Sequence, residues 1–341
     1  MKASLNSLVS FRRFVRTTAS SSMLIVCLTF GSATHADIMF NFNFSGAFTD
    51  GTNDAAQQGA LITAGNLFST MFASHFTNSA TLVLDASGSD DPLSSTLASA
   101  GSNSIISAGF GTGEVIRTKL ISNGATDLNG AAADGIVDVN FGADWELDPN
   151  TPAQGSGSAN PTFDFYAAVF HEFTHALGFL SYITEAGDDG DGNGNNGSPG
   201  TWSFFDQFMT DCGPNSLIDS GNQQTNQGVY DAAKTSSMCF NGVNANAANG
   251  GNQIDLYTPN SYENGSSGSH LNTNNPIHSL SMMKHDRDFG PQEARNYNAI
   301  EIAMLTDLGY TRVTNSVPEP GTLALFIGAG IGGLLTRRRK I

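Results

Sequence analysis

The chain has 341 residues, with 15 Lys or Arg against 31 Asp or Glu and a formal net charge of −16. So acidic a protein lacks the basic footprint that a phosphate backbone requires, which excludes nucleic acid as a partner. The length allows a sizeable core in one large domain or two closely joined subdomains.

Residues 1–36 have the layout of an export signal. Lys2, Arg12, Arg13 and Arg16 give a positive start, residues 22–30 are apolar, and Thr34-His35-Ala36 offers a processing site before Asp37. The apolar run is shorter than the roughly 20 residues that a membrane helix needs. Four of the 15 cations lie in this leader and four beyond residue 336, while one acid lies in that tail. The body between keeps 7 cations against 30 acids, near −23. That charge favours divalent cations and resists self-association.

In residues 38–48, Phe40, Phe42 and Phe44 alternate with Asn, which predicts a half-buried strand. Residues 55–76 have helical spacing through Leu61, Leu67, Phe68, Phe72 and Phe76. Residues 81–84 read as a short strand and 87–104 as a Gly/Ser/Asp loop. Residues 114–121 read as another strand, and 114–119 as an edge to which an extended substrate would add. Residues 135–141 form a strand with Val137, Val139 and Phe141 on one face, and 149–161 a polar loop.

The best helix covers about 163–177, with Pro161 and Asp164 marking its start and Gly178 its end. Residues 185–200 are almost all Asp, Gly and Asn. A helix-like run follows at 202–209, and 241–275 is again irregular. A last helix over 297–308 carries Ile300, Ala303, Met304 and Leu308 on its apolar face and closes at Gly309. Cys27 belongs to the leader. Cys212 and Cys239 remain, an even pair that reads as a disulfide in an oxidising compartment, with two separate thiols as the alternative.

His171, Glu172 and His175 lie inside the 163–177 helix. Four residues of separation put both imidazoles on one face, one turn apart. They suit two corners of a tetrahedral zinc site, and Glu172 beside them can act on a water bound to the metal. Apolar flanks, Tyr166 to Phe170 and Ala176 to Phe179, bury this helix, and polar side chains among them need partners. A third protein ligand must come from elsewhere. The candidates are His270, His278 and His285, or an acidic residue such as Glu185.

The segment from His171 to Phe179 resembles the active-site helix of metzincin peptidases. In most of that family the third histidine follows three residues after the glycine, where this chain has Ser181. The leishmanolysin-like branch places a long insertion there, and this chain is similar to it. The resemblance implies His270 as third ligand and Met283, with Met282 as rival, in a methionine turn below the metal. It also implies a final helix ending at Gly309-Tyr310. The fold it implies is α+β and zincin-like, with a twisted mixed sheet packed on the active-site helix. An N-terminal subdomain would cover about 37–180 and a C-terminal one about 181–316. The activity implied is that of a zinc-dependent endopeptidase acting on protein or peptide substrates.

Asp189, Asp191, Asn193 and Asn195 repeat oxygen ligands at alternate positions, a spacing that suits calcium. Gly200 stands where the calcium-hand loop has its bidentate Glu, and a plain acidic loop is the alternative. Finally, Val317-Pro318-Glu319-Pro320, an uncharged stretch over 321–336 and Arg337 to Lys340 resemble the PEP-CTERM sorting signal. Bacteria with an outer membrane process that signal with an exosortase. The resemblance implies cutting near Pro320, delivery to the cell surface or extracellular matrix, and membrane contact only through the uncleaved tail. The competing reading is a matrix or adhesive metal-binding protein without turnover.

Overall fold

Strand β1 (Ile38–Gly46) points Phe40, Phe42 and Phe44 to one face and Met39, Asn41 and Asn43 to the other. In the computed structural model, residues 38–314 are described, except 52 and 292–293. The expected leader and sorting tail lie outside them. No helix of the described residues is long and apolar enough to cross a membrane.

β1 pairs in parallel with β2 (Ala80–Ser89) through the crossover helix α1 (Asp54–Ala73). Helix α1 turns Leu61, Ala64, Phe68 and Phe72 inward at three- and four-residue spacing. Leu67, expected on that face, is exposed, since one residue of offset rotates it about 100° away from Phe68. β2 also pairs in parallel with β5 (Gly135–Asn140), and β5 pairs antiparallel with β3 (Ala98–Ser102). The sheet is therefore mixed, ordered β1-β2-β5-β3, with β3 at one edge. The two-residue strand β4 (Gly109–Phe110) lies outside it and pairs with Thr201–Trp202.

Two expectations are corrected here. Residues 87–104 are not simply a loop, because they hold the end of β2 and the whole of β3. Residues 114–119 are not an edge strand, because helix α2 (Val115–Ile121) occupies them. Val115, Ile116 and Leu120 are all buried, the one-turn spacing of a helix rather than the alternation of a strand.

Helix α3 (Phe165–Ala176) crosses the sheet. Asp164 caps it by accepting from the Ala167 N–H at 3.0 Å and is itself bound by Arg295 at 2.8 Å. Phe173 stacks on Phe40 with centroids 4.6 Å apart, and Phe170 meets Phe68 edge-on at 5.5 Å. One face of α3 is thus fixed to β1 and α1. The chain leaves the helix through Gly178, whose φ of +99° suits a residue without Cβ.

Beyond Gly178 the structure is mostly irregular, with short ladders and two small helices, α4 (Gln227–Ala233) and α5 (Val243–Ala248). The helix-like run at 202–209 is a strand end at Thr201–Trp202 followed by a 3-10 turn at Phe205–Phe208. Cys212 and Cys239 form a disulfide. The last helix, α6 (Ala299–Asp307), starts at a reciprocal cap between Asn298 and Glu301. Tyr310 then donates its hydroxyl to the Leu177 carbonyl at 2.7 Å, tying the chain after α6 to the end of α3.

Candidate metal centre

The face of α3 opposite the aromatic packing carries His171, Glu172 and His175 into a cleft of about 750 Å³. His270 enters from the far end of the long excursion. Its segment is clamped on both sides: the Tyr257 N–H donates to the His270 carbonyl at 2.7 Å, and the Leu271 N–H donates to the Met283 carbonyl at 2.8 Å. The three buried imidazoles meet at their Nε2 atoms. His171 and His175 are 3.0 Å apart there, His171 and His270 3.0 Å, and His175 and His270 3.1 Å.

The other ring nitrogens decide what this triangle is. His171 Nδ1 lies 2.7 Å from the Met282 carbonyl, His175 Nδ1 2.7 Å from the Phe179 carbonyl, and His270 Nδ1 2.9 Å from the Ser266 carbonyl. A carbonyl only accepts, so each Nδ1 carries the proton and each Nε2 presents a lone pair. Burial keeps the rings neutral, pushing His175 down to about 4 and His171 and His270 well below their ordinary value. Three lone pairs converge with no proton between them, an arrangement that repels itself unless a cation fills it.

These residues can hold a metal ion. Their Nε2 separations of 3.0–3.1 Å fit three corners of a tetrahedral zinc site, whose edges are about 3.3 Å. The carbonyls behind the rings act as the outer partners that fix ligand orientation.

Glu172 stands beside the triangle, with Oε1 4.0 Å from His171 Nε2. Its Oε2 accepts from the Ala100 N–H at 3.0 Å, on edge strand β3. Burial raises this carboxyl to about 8, against the lowering influence of Arg287 and of that N–H. Ala100 and Arg287 are site residues that sequence reasoning missed. Ala100 carries no motif, and Arg287 lies in a charged run, Lys284 to Arg287, that reads as exposed.

Below the site, Met282 and Met283 are both fully buried. Met282 lies against α3: its sulfur is 3.5 Å from Thr174 Oγ1, and its carbonyl is the one behind His171. Met283 ties the turn to its surroundings, donating its N–H to Glu301 Oε1 at 2.8 Å. The remaining histidines stand apart from the triangle. His278 is fully buried with neither ring nitrogen hydrogen-bonded. His285 is not part of an exposed patch but lines the cleft and stacks on Tyr257 at 3.6 Å. Glu185 is exposed.

The Asp189–Asn195 segment is a separate loop. Asp189 Oδ1 accepts from the Asp191 and Asn193 N–H groups at 3.1 and 3.0 Å, and Oδ2 from the Thr201 N–H at 2.6 Å. The Asn195 amide donates to the Ala186 carbonyl. This bonding accounts for the shape of the loop without an ion. No protein-family model, curated protein or solved structure matches the chain.

Proposed function

We propose that the chain is an exported zinc-dependent endopeptidase. The observation that carries this reading is the triangle of three Nε2 lone pairs, with Glu172 beside it at the floor of an open cleft. Three neutral imidazoles with one free coordination position suit catalytic zinc better than a closed structural site, which takes four protein ligands. Zinc bound there would polarise a peptide carbonyl and acidify a water in its open position.

The chain's own residues supply the rest. With a cation at the triangle to lower the carboxyl that burial raises, Glu172 would be positioned to take a proton from the attacking water and return it to the leaving amine, the work of a general base turned acid. Edge strand β3 borders the cleft through Ala98 to Ala100 and offers backbone groups to an extended substrate. That assigns substrate pairing to β3 instead of residues 114–119. The disulfide supports an oxidising destination, in keeping with the leader and tail motifs. Calcium at the Asp189–Asn195 loop remains part of the proposal, as a structural ion supplementing the loop's own bonds.

Metal analysis of the purified protein, followed by casein cleavage by the wild type and Glu172→Gln, tests the reading. Stoichiometric zinc with cleavage reduced at least about a hundredfold in the variant is expected. Bound zinc without any Glu172-dependent hydrolysis would favour the metal-binding matrix protein.

A further inference from the structure

Two cations line the cleft, Lys284 and Arg287, beside the acids Asp91, Asp144, Glu172 and Asp286. Of the 7 Lys and Arg in the body, four are held by carboxylates. Arg117 meets Glu114 at 3.5 Å, Lys119 meets Asp127 and Asp134 at 2.9 Å, Lys234 meets Asp231 at 2.9 Å, and Arg295 meets Asp164 at 2.8 Å. Arg312 is exposed. The other two, Lys284 and Arg287, both line the cleft. Among the described residues, neither makes an ion pair within 4.0 Å.

Arg287 is the more constrained of the two. Its Nη2 donates at 2.5 Å to the Met282 carbonyl, the same oxygen that His171 Nδ1 uses. The guanidinium therefore hangs from the peptide that orients a metal ligand. Its Nε and Nη1 are buried and have no hydrogen-bond partner.

The acids closest to exerting a field on Arg287 are Glu172, Glu301, Asp164 and Asp286. Glu301 is committed to the Met283 and Asn298 N–H groups, and Asp164 to Ala167 and Arg295. Glu172 takes the Ala100 N–H, and Asp286 is largely exposed. Buried guanidinium donors without acceptors are costly. In a cleft, such donors mark where a ligand supplies the missing acceptor.

We propose that Arg287, with Lys284 on the same segment, receives a carboxylate of the substrate. The chemistry is a charge-assisted hydrogen bond to the carboxylate from Nη1 or from Nε, which lie on different edges of the guanidinium. An acidic side chain near the cut and the free C-terminal carboxylate of a short peptide are the two sources of that group. The proposal rests on the peptidase reading of the same cleft.

Binding to the full, zinc-loaded chain carrying Glu172→Gln tests it without turnover. The probes are short synthetic peptides in matched pairs, Glu against Gln at each position, and free acid against amide at the C-terminus. A preference of about tenfold or more for one carboxylate-bearing member is expected, and which pair shows it names the source. The preference should vanish on adding Arg287→Gln and survive in part with Arg287→Lys. Equal affinity within every pair, no binding of any peptide, or a preference that persists without Arg287 would overturn the proposal. The pair comparison in the Glu172→Gln chain with Arg287 intact decides it if the Arg287 variants fail to fold. Failure of the peptidase reading shows elsewhere, as the absence of Glu172-dependent cleavage by the wild-type enzyme.

Discussion

The Ser181 N–H donates to Ser269 Oγ at 3.2 Å, so two residues 88 positions apart in sequence are neighbours. Ser181 lies three residues after Gly178, at the end of the α3 segment, and Ser269 immediately precedes His270. The chain departs at the first and returns at the second. Closing so long an excursion costs little more than closing a short one, because loop entropy grows with the logarithm of length.

Removing the returning imidazole should empty the site without unfolding the protein. His270→Ala is expected to weaken metal binding by at least about a hundredfold, since even outer-partner changes cost about 10–100-fold. His278→Ala and His285→Ala should retain metal. Metal stoichiometry after dialysis, with circular dichroism as the folding control, checks this. Full retention in folded His270→Ala would remove it from the ligand set.

The buried imidazoles should favour unfolding of the metal-free protein in acid, against the raised carboxyl of Glu172, which acts in the opposite sense. His175 titrates near 4 when folded, against an ordinary value of 6.5, so between these values the unfolded chain binds more protons. Stability from this group is complete above about pH 6.5 and falls as pH drops toward about 4, by roughly 3 kcal/mol from His175. His171 and His270 add in the same direction. Nuclear magnetic resonance titration of the imidazoles in folded, chelator-treated protein should show His175 neutral at pH 5.5, about a unit below its ordinary value. Imidazoles that protonate near 6.5 in the folded protein would mean that they are not buried neutral.

The disulfide should matter thermodynamically. Its cysteines are 27 positions apart, and a closed loop of that size restricts the unfolded chain by about 3 kcal/mol in the chain-entropy model. Cys212→Ser with Cys239→Ser is expected to lower the melting temperature by several degrees while metal stoichiometry stays unchanged. Alkylation of both thiols in the unreduced protein would show that the bond is absent.

Asp189 should stabilise its loop even in calcium-free buffer, since its carboxylate serves three backbone N–H groups. Asp189→Ala is expected to cost about 1–3 kcal/mol, the range for stranding a buried donor. Denaturant titration with and without calcium separates the contributions. A calcium-dependent gain seen in the wild type and lost in the variant would add an ion to the loop. No cost in either buffer would assign Asp189 no structural part.

Helices α1, α3 and α6 were legible because their apolar periodicities are long and, for α3 and α6, end signals agree with them, as at Asp164 and Gly309. Strand β3 was not, because Ala98 to Ser102 has neither alternation nor branched residues. It is a strand by virtue of its partner β5, which no local pattern announces. Helix α2 was misread because Val115, Ile116 and Thr118 carry strand propensity, while tertiary burial of Val115, Ile116 and Leu120 favours a helical turn. His171, Glu172 and His175 came from spacing alone. His270 needed family order, and Arg287 needed the fold, since its significance lies in which carbonyl it meets and which carboxylates are already taken.

The separation of its parts makes the histidine triangle a reporter of the native state. His270 meets His171 and His175 across 99 and 95 positions of chain, so the unfolded polypeptide has only the local pair to offer. An ion that prefers the complete triangle draws the folding equilibrium toward the folded form by mass action, by about 2.7 kcal/mol at a hundred times its dissociation constant. The melting temperature then becomes a property of the surroundings as well as of the protein, rising where the ion is plentiful and falling where a competitor sequesters it.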